Sequence, residues 1–216
     1  MNESELRESI VAACQRLYNR NCLAAADGNV SYRISNERIL ITPSGVAKAF
    51  LAASEMAIMD IEGRILEGRP SGERLMHLAI YRQCPEAKAV VHAHPPHAIA
   101  WSLSEPGITE LPNDVLPEVI LAAGRIPIVS YARPGTEAMG ENLRSFLPQS
   151  RLMILERHGA VAWGESMNEA VGGLERLEHS AQILWLARAL GPLRKIDTEE
   201  QKALVKMRET LGPRLL

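Results

Sequence analysis

The protein has 216 residues, of which 46% are hydrophobic and 23% are charged, and its formal net charge is −2. This composition is ordinary for a globular protein with one sizeable core, so we expect a single domain over residues 1–216. The nearly balanced charge and the lack of a long basic run argue against a nucleic-acid partner, and no apolar run approaches the length of a membrane span.

The N-terminal part of the sequence predicts a helix followed by two pairs of short strands. Apolar residues recur at helical spacing over residues 3–20, which indicates one buried helix face. The start of this helix, MNESELRESI, is acidic and lacks a signal-peptide core, so we expect a cytoplasmic protein. GNVSYRIS and RILITP then predict two strands, and MAIMDIEGRILEG predicts a strand pair that turns at Glu62 and Gly63.

The middle of the sequence predicts a helix, a buried strand and a second helix. SGERLMHLAIYRQC has the pattern of a helix in which Ser71 caps the start and Glu73 falls in the first turn. The run AVV in AVVHAHPPH is typical of a buried strand, which Pro95 and Pro96 would end. A helix is expected from about Pro96 to Ser104.

The C-terminal part continues the alternation of strands and helices. GRIPIVSYA predicts a strand, GTEAMGENLRSFL a helix, and RLMILERHGAVAWG a long strand or a hairpin that pivots on Gly159. A long helix from Met167 and a shorter one from Asp197 follow. Because several neighbouring strands are joined by tight turns, we expect an α/β fold of three α/β/α layers, with a central, mainly antiparallel sheet flanked by helices.

The three cysteines predict neither a disulfide framework nor a catalytic thiol. Cys14, Cys22 and Cys84 form no CxxC pair, and their number is odd. We interpret Cys14 and Cys22 as small core residues.

Half of the six histidines lie in AVVHAHPPHAI, at the end of the predicted buried strand. Alternate residues of a strand share a face, so His92 and His94 are expected to point the same way and could form a pair of metal ligands. Two histidines at a strand end could equally be bound to water or to a backbone carbonyl. His97 follows two prolines and is expected to lie off that face.

A third ligand is offered by His158, where the apolar strand MIL meets a glycine in ERHG. A polar side chain in such a strand needs a partner, and three histidines would leave the open position typical of a catalytic zinc site. A core histidine with another partner is the alternative for His158. His77 and His179 lie inside helical patterns and are interpreted as helix-face residues.

A carboxylate and three loops complete the candidate site. Glu73 follows RPSG and could serve as an acid/base or as a displaceable metal ligand, although an ordinary first-turn acid is the alternative. The loops DGNVS, TPSGV and PSG carry hydroxyl and backbone N–H groups that suit a phosphate or a carboxylate, unless they are simple turns. The loop residues concerned are Gly28, Asn29, Ser31, Thr42, Ser44, Gly45, Ser71 and Gly72. Neither GxxxxGK[ST] nor GxGxxG is present, so no nucleotide is implied.

Five motifs, GNVS, ILITPSG, RPSGE, AVVHAHPPH and ERHGAVAWG, together resemble the class II aldolase/adducin family, most of all its L-fuculose-1-phosphate aldolase branch. The resemblance covers about residues 5 to 190. It implies that His92, His94 and His158 bind one Zn²⁺ per subunit, or another divalent cation, and that Glu73 is the catalytic acid/base. It also implies a phosphate site formed by Asn29, Ser44, Gly45, Ser71 and Gly72, with Gly28 and Ser31 beside it.

The same resemblance implies an activity and an assembly. The protein would be a zinc-dependent aldolase that cleaves a ketose 1-phosphate to dihydroxyacetone phosphate and an aldehyde. Its partner would be this small phosphorylated sugar, and it would form a homotetramer with active sites between subunits. A sugar-phosphate 4-epimerase and a methylthioribulose-1-phosphate dehydratase of the same family are alternatives, and a non-catalytic adducin-like scaffold is a further one. Glu73 favours aldol chemistry, because the dehydratase branch generally lacks an acid there.

The sequence departs from the aldolase branch mainly at the aldehyde end of the site. Gly72 replaces a serine common in that branch. No tyrosine occurs between Tyr81 and Tyr131, where the branch places the acid for the aldehyde oxygen, and the tail RETLGPRLL also lacks one. Glu118 is the candidate for this acid, with a surface residue as the alternative. A less charged, more apolar aldehyde end would suit a 5-deoxypentulose or methylthiopentulose 1-phosphate.

Overall fold

The centre of the computed structural model, which describes residues 2–104 and 107–215, is an eight-stranded sheet. Its strands are Asn29–Arg33 (β1), Arg38–Ile41 (β2), Ala57–Asp60 (β3), Ile65–Glu67 (β4), Ala89–Ala93 (β5), Ile128–Val129 (β6), Leu152–Leu155 (β7) and Gly159–Gly164 (β8). The order across the sheet is β4-β3-β2-β1-β5-β8-β7-β6. All neighbouring strands are antiparallel except β6 and β7, which are parallel.

Helices cover both faces of this sheet. They are Glu3–Asn19 (α1), Arg74–Gln83 (α2), Pro96–Ser104 (α3), Pro117–Ala122 (α4), Glu137–Leu143 (α5), Met167–Leu190 (α6) and Thr198–Leu211 (α7). Two short 3₁₀ turns, Lys48–Phe50 and Ala53–Glu55, lie between β2 and β3. No helix within the described residues is long and apolar enough to cross a membrane.

Alternation along the strands builds two separate apolar cores. In β8, Ala160 and Ala162 belong to the first core, which contains side chains of α1, α3 and α6. Val161 and Trp163 belong to the second core, which contains side chains of α2 and α5. The period of two along a strand therefore places one helical layer on each face, and the expected three-layer fold with a mainly antiparallel sheet is confirmed.

Two predicted elements are shorter in the structure than their sequence pattern indicated, and a third takes one of its two predicted forms. The strand expected over residues 124–132 is reduced to Ile128–Val129, since Pro127 cannot donate to the sheet. The helix expected over 135–147 covers only Glu137–Leu143. RLMILERHGAVAWG forms a hairpin, with β7 and β8 joined by a turn in which Arg157 has φ of 60°.

The predicted start of α2 is wrong by two residues. The N-cap position is Glu73, and no side-chain cap bond is formed there. Ser71 instead accepts a hydrogen bond on Oγ from the Glu73 backbone N–H at 3.3 Å. Glu73 therefore stands outside the first turn, at the junction of a loop and a helix.

The three cysteines are buried and free. Burial disfavours the thiolate and raises the pKa of each thiol, Cys14, Cys22 and Cys84, to about 12. Cys14 and Cys22 are core residues, as their place in the sequence predicted.

Candidate active site

The three histidines predicted as metal ligands lie together where β5 ends and β8 begins. Each offers a ring nitrogen, and these nitrogens all lie within 4.8 Å of one another. The antiparallel pairing sets His92 opposite Val161, which brings the end of β5 beside the turn that carries His158. His92 Nε2 lies 3.1 Å from His94 Nε2, and the rings of His92 and His158 stack with centroids 4.9 Å apart.

Gly159 makes this close approach possible. A Cβ atom at this position would lie 2.5 Å from the carbonyl oxygen of Ala93 and 2.9 Å from Cε1 of His92. It would also lie 3.0 Å from Cδ2 of His94. Any other residue would push the strands or the imidazole rings apart, which explains why a glycine follows His158.

The donor set of this cluster fits a divalent cation. Nδ1 of His92 lies 2.9 Å from the carbonyl oxygen of Ala160, to which it can only donate, so Nε2 keeps its lone pair. That lone pair faces a ring nitrogen of His94, and such a contact needs a proton or a cation between the two rings. Nδ1 of His94 lies 3.5 Å from Oδ2 of Asp27, in the outer position typical of a metal-binding histidine.

Burial and charge keep His94 in the form that binds a metal. Burial, together with the neighbouring His92 and His158, disfavours the imidazolium and lowers the pKa of His94 to about 4. The neutral ring is the metal-binding form of histidine. Together, the three side chains could hold a metal ion.

The Glu73 carboxylate lies against two of these histidines. Its Oε1 is 2.9 Å from Nε2 of His158, and its Oε2 is 3.3 Å from Nε2 of His92. Burial would raise the pKa of Glu73, but the hydrogen bond from His158, the neighbouring His92 and a hydrogen bond from Asn29 outweigh it and hold that pKa well below the usual range. The structure thus brings an ionised carboxylate next to the candidate metal site.

The loops predicted to bind phosphate meet around this carboxylate. Asn29, at the start of β1, pairs with His92 of β5 and donates from Nδ2 to Oε2 of Glu73 at 2.8 Å. The loop with Ser44 and Gly45 lies beside the loop with Ser71 and Gly72. Two backbone hydrogen bonds join them, from Ser44 N to Arg69 O at 3.0 Å and from Ser71 N to Thr42 O at 3.1 Å.

Gly28 fixes the first of these loops against β5. It has φ of 71°, which favours glycine. A Cβ atom there would lie 2.3 Å from Cδ2 of Leu23 and 2.9 Å from the carbonyl oxygen of His92. The absence of a side chain at Gly28 therefore allows its backbone to lie close to the backbone of His92.

Three other predicted residues take different places. Ser31 is fully buried, and its hydroxyl is bonded to His77 and Tyr81 in the interior of the protein. Thr42 is also buried, and its Oγ1 accepts from the Val30 N–H at 3.2 Å. Glu118 is exposed on α4, and among the described residues it makes no hydrogen bond or ion pair with Glu73 or the three histidines.

Sequence reasoning missed Lys48, which ties two of the site's loops together. Its side chain is buried, and Nζ donates to the carbonyl oxygens of Ala26 at 2.9 Å and Val46 at 2.7 Å. Burial lowers the pKa of Lys48, although nearby acidic groups including Asp27 and Glu73 oppose this. A lysine inside the apolar run VAKAFL was the available signal, because such a residue needs partners when it is buried.

The role of His77 was also missed. It lies on the helix face, as expected, but that face is completely buried against β1. Its ring nitrogens are bonded to Ser31 and to Asn29, the residue that holds Glu73.

The two remaining histidines take no part in the cluster. His179 is exposed on α6, and His97 is bonded through Nδ1 to Glu178 at 2.6 Å.

Comparison with known proteins agrees with this geometry. The family model described as class II aldolase and adducin N-terminal domain matches residues 8–185. A 3-oxo-tetronate 4-phosphate decarboxylase of Cupriavidus necator is 35% identical over 189 residues, covering 85% of each protein. An L-fuculose phosphate aldolase of Methanococcus maripaludis is 34% identical over 182 residues, covering 84% of this protein and 97% of the relative.

A solved structure supports the same assignment of fold. YgbL from Escherichia coli, a candidate aldolase/epimerase/decarboxylase, superimposes with a TM-score of 0.86 at 30% identity. The match covers 94% of this protein and 99% of YgbL. Since the family model spans most of the sequence and the relatives exceed 30% identity, the protein belongs to the class II aldolase and adducin family.

Proposed function

We propose that the protein is a metal-dependent carbon–carbon lyase that cleaves a ketose 1-phosphate to dihydroxyacetone phosphate and an aldehyde. The observation that carries this proposal is the placement of the Glu73 carboxylate, 2.9 Å from His158 and next to two further histidines. Cleavage beside a carbonyl needs stabilisation of negative charge and a group that delivers a proton to carbon. The cluster offers both within one site.

We propose zinc as the metal, one ion per subunit, held by His92, His94 and His158. Three neutral imidazoles with an open fourth position are the ligand pattern of catalytic zinc sites. A divalent cation held there would supply Lewis-acid stabilisation of the negative charge that develops on the substrate's oxygens. The remaining steps fall to the residues of the protein.

The phosphate group is proposed to bind where the loops of Asn29, Ser44, Gly45, Ser71 and Gly72 meet. Backbone N–H groups at such loops suit an anion. With the phosphate fixed, the bond between C3 and C4 breaks, the C4 hydroxyl gives its proton to water, and the electron pair moves onto C3 as an enediolate. Glu73, after taking up a proton from water, delivers it to C3, which completes dihydroxyacetone phosphate and leaves the carboxylate ionised again.

The aldehyde end of the site is proposed to lie at a subunit interface of a homotetramer. Glu118 is exposed in the single subunit, so a role at the aldehyde oxygen requires a neighbouring copy to bring it to the site. A small apolar aldehyde, as from a 5-deoxypentulose or methylthiopentulose 1-phosphate, fits a site that lacks the tyrosines of the aldolase branch.

Decarboxylation of 3-oxo-tetronate 4-phosphate is a second candidate, favoured by the same lack of tyrosines. Here the bond between C1 and C2 breaks, carbon dioxide leaves, and Glu73 delivers a proton to C2 of the same enediolate. The product is again dihydroxyacetone phosphate. Because carbon dioxide leaves without giving up a proton, no acid or base is needed at that end, and the Cupriavidus necator relative has this activity in its name.

One experiment tests the proposal and separates the two candidates. The zinc-loaded protein is incubated with L-fuculose 1-phosphate, a 5-deoxypentulose 1-phosphate, a methylthiopentulose 1-phosphate and 3-oxo-tetronate 4-phosphate. Dihydroxyacetone phosphate is followed with glycerol-3-phosphate dehydrogenase, aldehyde by hydrazone trapping, and carbon dioxide by capture in base. We expect aldehyde from a ketose phosphate, whereas release of carbon dioxide alone would favour the decarboxylase. The lyase proposal fails if no substrate gives dihydroxyacetone phosphate and deuterium from D₂O does not enter added dihydroxyacetone phosphate.

A further inference from the structure

A row of buried polar side chains runs from the interior of the protein to Glu73. Glu73, at the N-cap of α2, is followed at intervals of four residues by His77 and Tyr81, which places the three side chains on one face of the helix. Asn29 and Ser31 alternate along β1 and face this helix. The hydrogen bonds between the two elements form what we call the α2–β1 relay, whose members are Tyr81, Ser31, His77, Asn29 and Glu73.

The contacts of the relay are continuous. Tyr81 OH lies 2.9 Å from Ser31 Oγ, which lies 2.7 Å from Nδ1 of His77. Nε2 of His77 lies 2.5 Å from Oδ1 of Asn29. Nδ2 of Asn29 then donates to Oε2 of Glu73 at 2.8 Å. Four of these side chains are at most 2% exposed: Asn29, Ser31, His77 and Tyr81.

The Asn29 amide fixes the direction of the hydrogen bonds in the relay. Its Nδ2 donates to Oε2 of Glu73, and its oxygen therefore faces Nε2 of His77. That oxygen accepts, so His77 must carry its proton on Nε2. Nδ1 of His77 is then bare and accepts from Ser31, whose oxygen can accept from Tyr81. Ser31, His77 and Asn29 each donate towards Glu73, while the Tyr81 hydroxyl also lies 3.4 Å from the carbonyl oxygen of Lys88.

We propose that His77 is a positioning residue that holds the amide of Asn29 in the orientation required to bind the Glu73 carboxylate. The inference rests on the proposed role of Glu73 in proton transfer. Without the N–H of His77, the Asn29 amide can turn over and present its oxygen to the carboxylate, which would repel it. Glu73 would then lose a charge-assisted hydrogen bond and its fixed place beside His158.

Two variants of His77 and one control separate this role from simple packing. His77→Met has a similar size but no N–H, whereas His77→Gln places an amide N–H four bonds from Cα, as in the Nε2 of histidine. His179→Met, at the exposed histidine of α6, is the control. For each protein we would measure zinc content, melting temperature, and kcat and KM for hydrogen exchange of dihydroxyacetone phosphate in D₂O.

We expect His77→Met to lower kcat for exchange by about ten- to a hundredfold, the range that loss of a hydrogen bond to a charged group supports. KM and zinc content should change much less. His77→Gln should recover most of the rate, and His179→Met should match the wild type. Equal kcat in His77→Met and wild type would overturn the proposal, and so would a His77→Gln rate as low as that of His77→Met in a protein of normal melting temperature.

A second measurement does not depend on turnover or on a stable variant. Long-range ¹H–¹⁵N NMR of the histidine rings of the protein as purified reports the tautomer of each ring, and His77 is assigned from the signal missing in His77→Gln or by through-space contacts. We expect a neutral ring protonated on Nε2. A ring protonated on Nδ1 would refute the relay even if the enzyme is active. A wild type that exchanges no hydrogen would instead count against the proposed function and leave the tautomer result standing.

Discussion

Nε2 of His158 lies 2.9 Å from Oε1 of Glu73, so a predicted metal ligand and the predicted acid share a hydrogen bond. The same nitrogen cannot donate to the carboxylate and offer a lone pair to a metal. If this nitrogen of His158 held a metal ion, its hydrogen bond to Glu73 would be lost and the carboxylate would be free to exchange a proton with a substrate. A metal ion and a proton would therefore compete for the same nitrogen.

We expect the purified protein to contain about one zinc or similar divalent ion per subunit, as three histidines predict. His94→Ala should lose most of this metal, because one of three nitrogens is removed. Elemental analysis by mass spectrometry measures both proteins, with His179→Ala as a control that keeps a full site. Unchanged metal content in His94→Ala would contradict the assignment of the ligands.

Glu73→Gln should keep the fold and the metal but lose turnover by about a hundredfold or more, as is typical for a positioned acid/base. The amide has nearly the shape of the carboxylate but cannot carry the proton. Steady-state kinetics and metal analysis on the same sample test this. Full activity in Glu73→Gln would remove Glu73 from the mechanism.

Lys48→Met should raise KM for a phosphorylated substrate by about tenfold, roughly the loss of one charge-assisted hydrogen bond. Methionine fills the space but cannot bind the carbonyl groups of Ala26 and Val46, so the two loops at the proposed phosphate site should separate. Zinc content should stay the same, since no ligand is touched. Lys202→Met, at an exposed lysine of α7, is the matched control, and equal KM values in the two variants would show that Lys48 does not order the site.

Glu118→Gln tests the aldehyde end. If Glu118 reaches a neighbouring site, its loss should slow cleavage of a ketose phosphate far more than hydrogen exchange of dihydroxyacetone phosphate, which needs Glu73 and the metal alone. Comparing the two rates decides its role. A parallel fall of both rates would indicate general support of the site, and no fall in either would show that another group exchanges the proton of the aldehyde oxygen.

His77 should make stability depend on pH. Burial lowers its pKa to about 3 from an ordinary value of 6.5, so below pH 6.5 the unfolded protein binds a proton that the folded protein refuses. The free energy of unfolding of the wild type should therefore fall, relative to His77→Gln, by up to about 1.4 kcal/mol per pH unit between those two values. Urea unfolding of both proteins at several pH values measures this, and a constant difference would show that His77 is not buried in neutral form.

Much of the fold follows from local patterns. Continuous apolar runs in β5, β7 and β8 predicted buried strands, and tight turns between neighbouring strands predicted a mainly antiparallel sheet. The predicted ends of strands were wrong where a proline removes a backbone N–H group, as at Pro127. A local apolar run does not reveal which N–H groups form hydrogen bonds within the sheet. The start of α2 failed because Ser71 bonds within its loop instead of capping the helix.

Only part of the candidate site was predicted from the sequence. The spacing of His92 and His94 and the glycine after His158 pointed to a cluster that the structure brings together. The roles of Lys48 and His77 were not predicted, because their hydrogen-bond partners lie on elements that are distant in the sequence. The interval of four residues from Glu73 to His77 was visible, but only the pairing of β1 with β5 sets Asn29 between His77 and Glu73.

The ligands of the proposed metal site come from parts of the sequence that meet only when β5 pairs with β8. His92 and His94 are separated from His158 by α3, α4, β6, α5 and β7. An unfolded or truncated polypeptide can present a pair of histidines but not the complete set. The absorbance of a coloured ion such as Co²⁺, followed during refolding, would therefore report the time at which β5 pairs with β8. This event would be distinguished from an earlier collapse of the polypeptide.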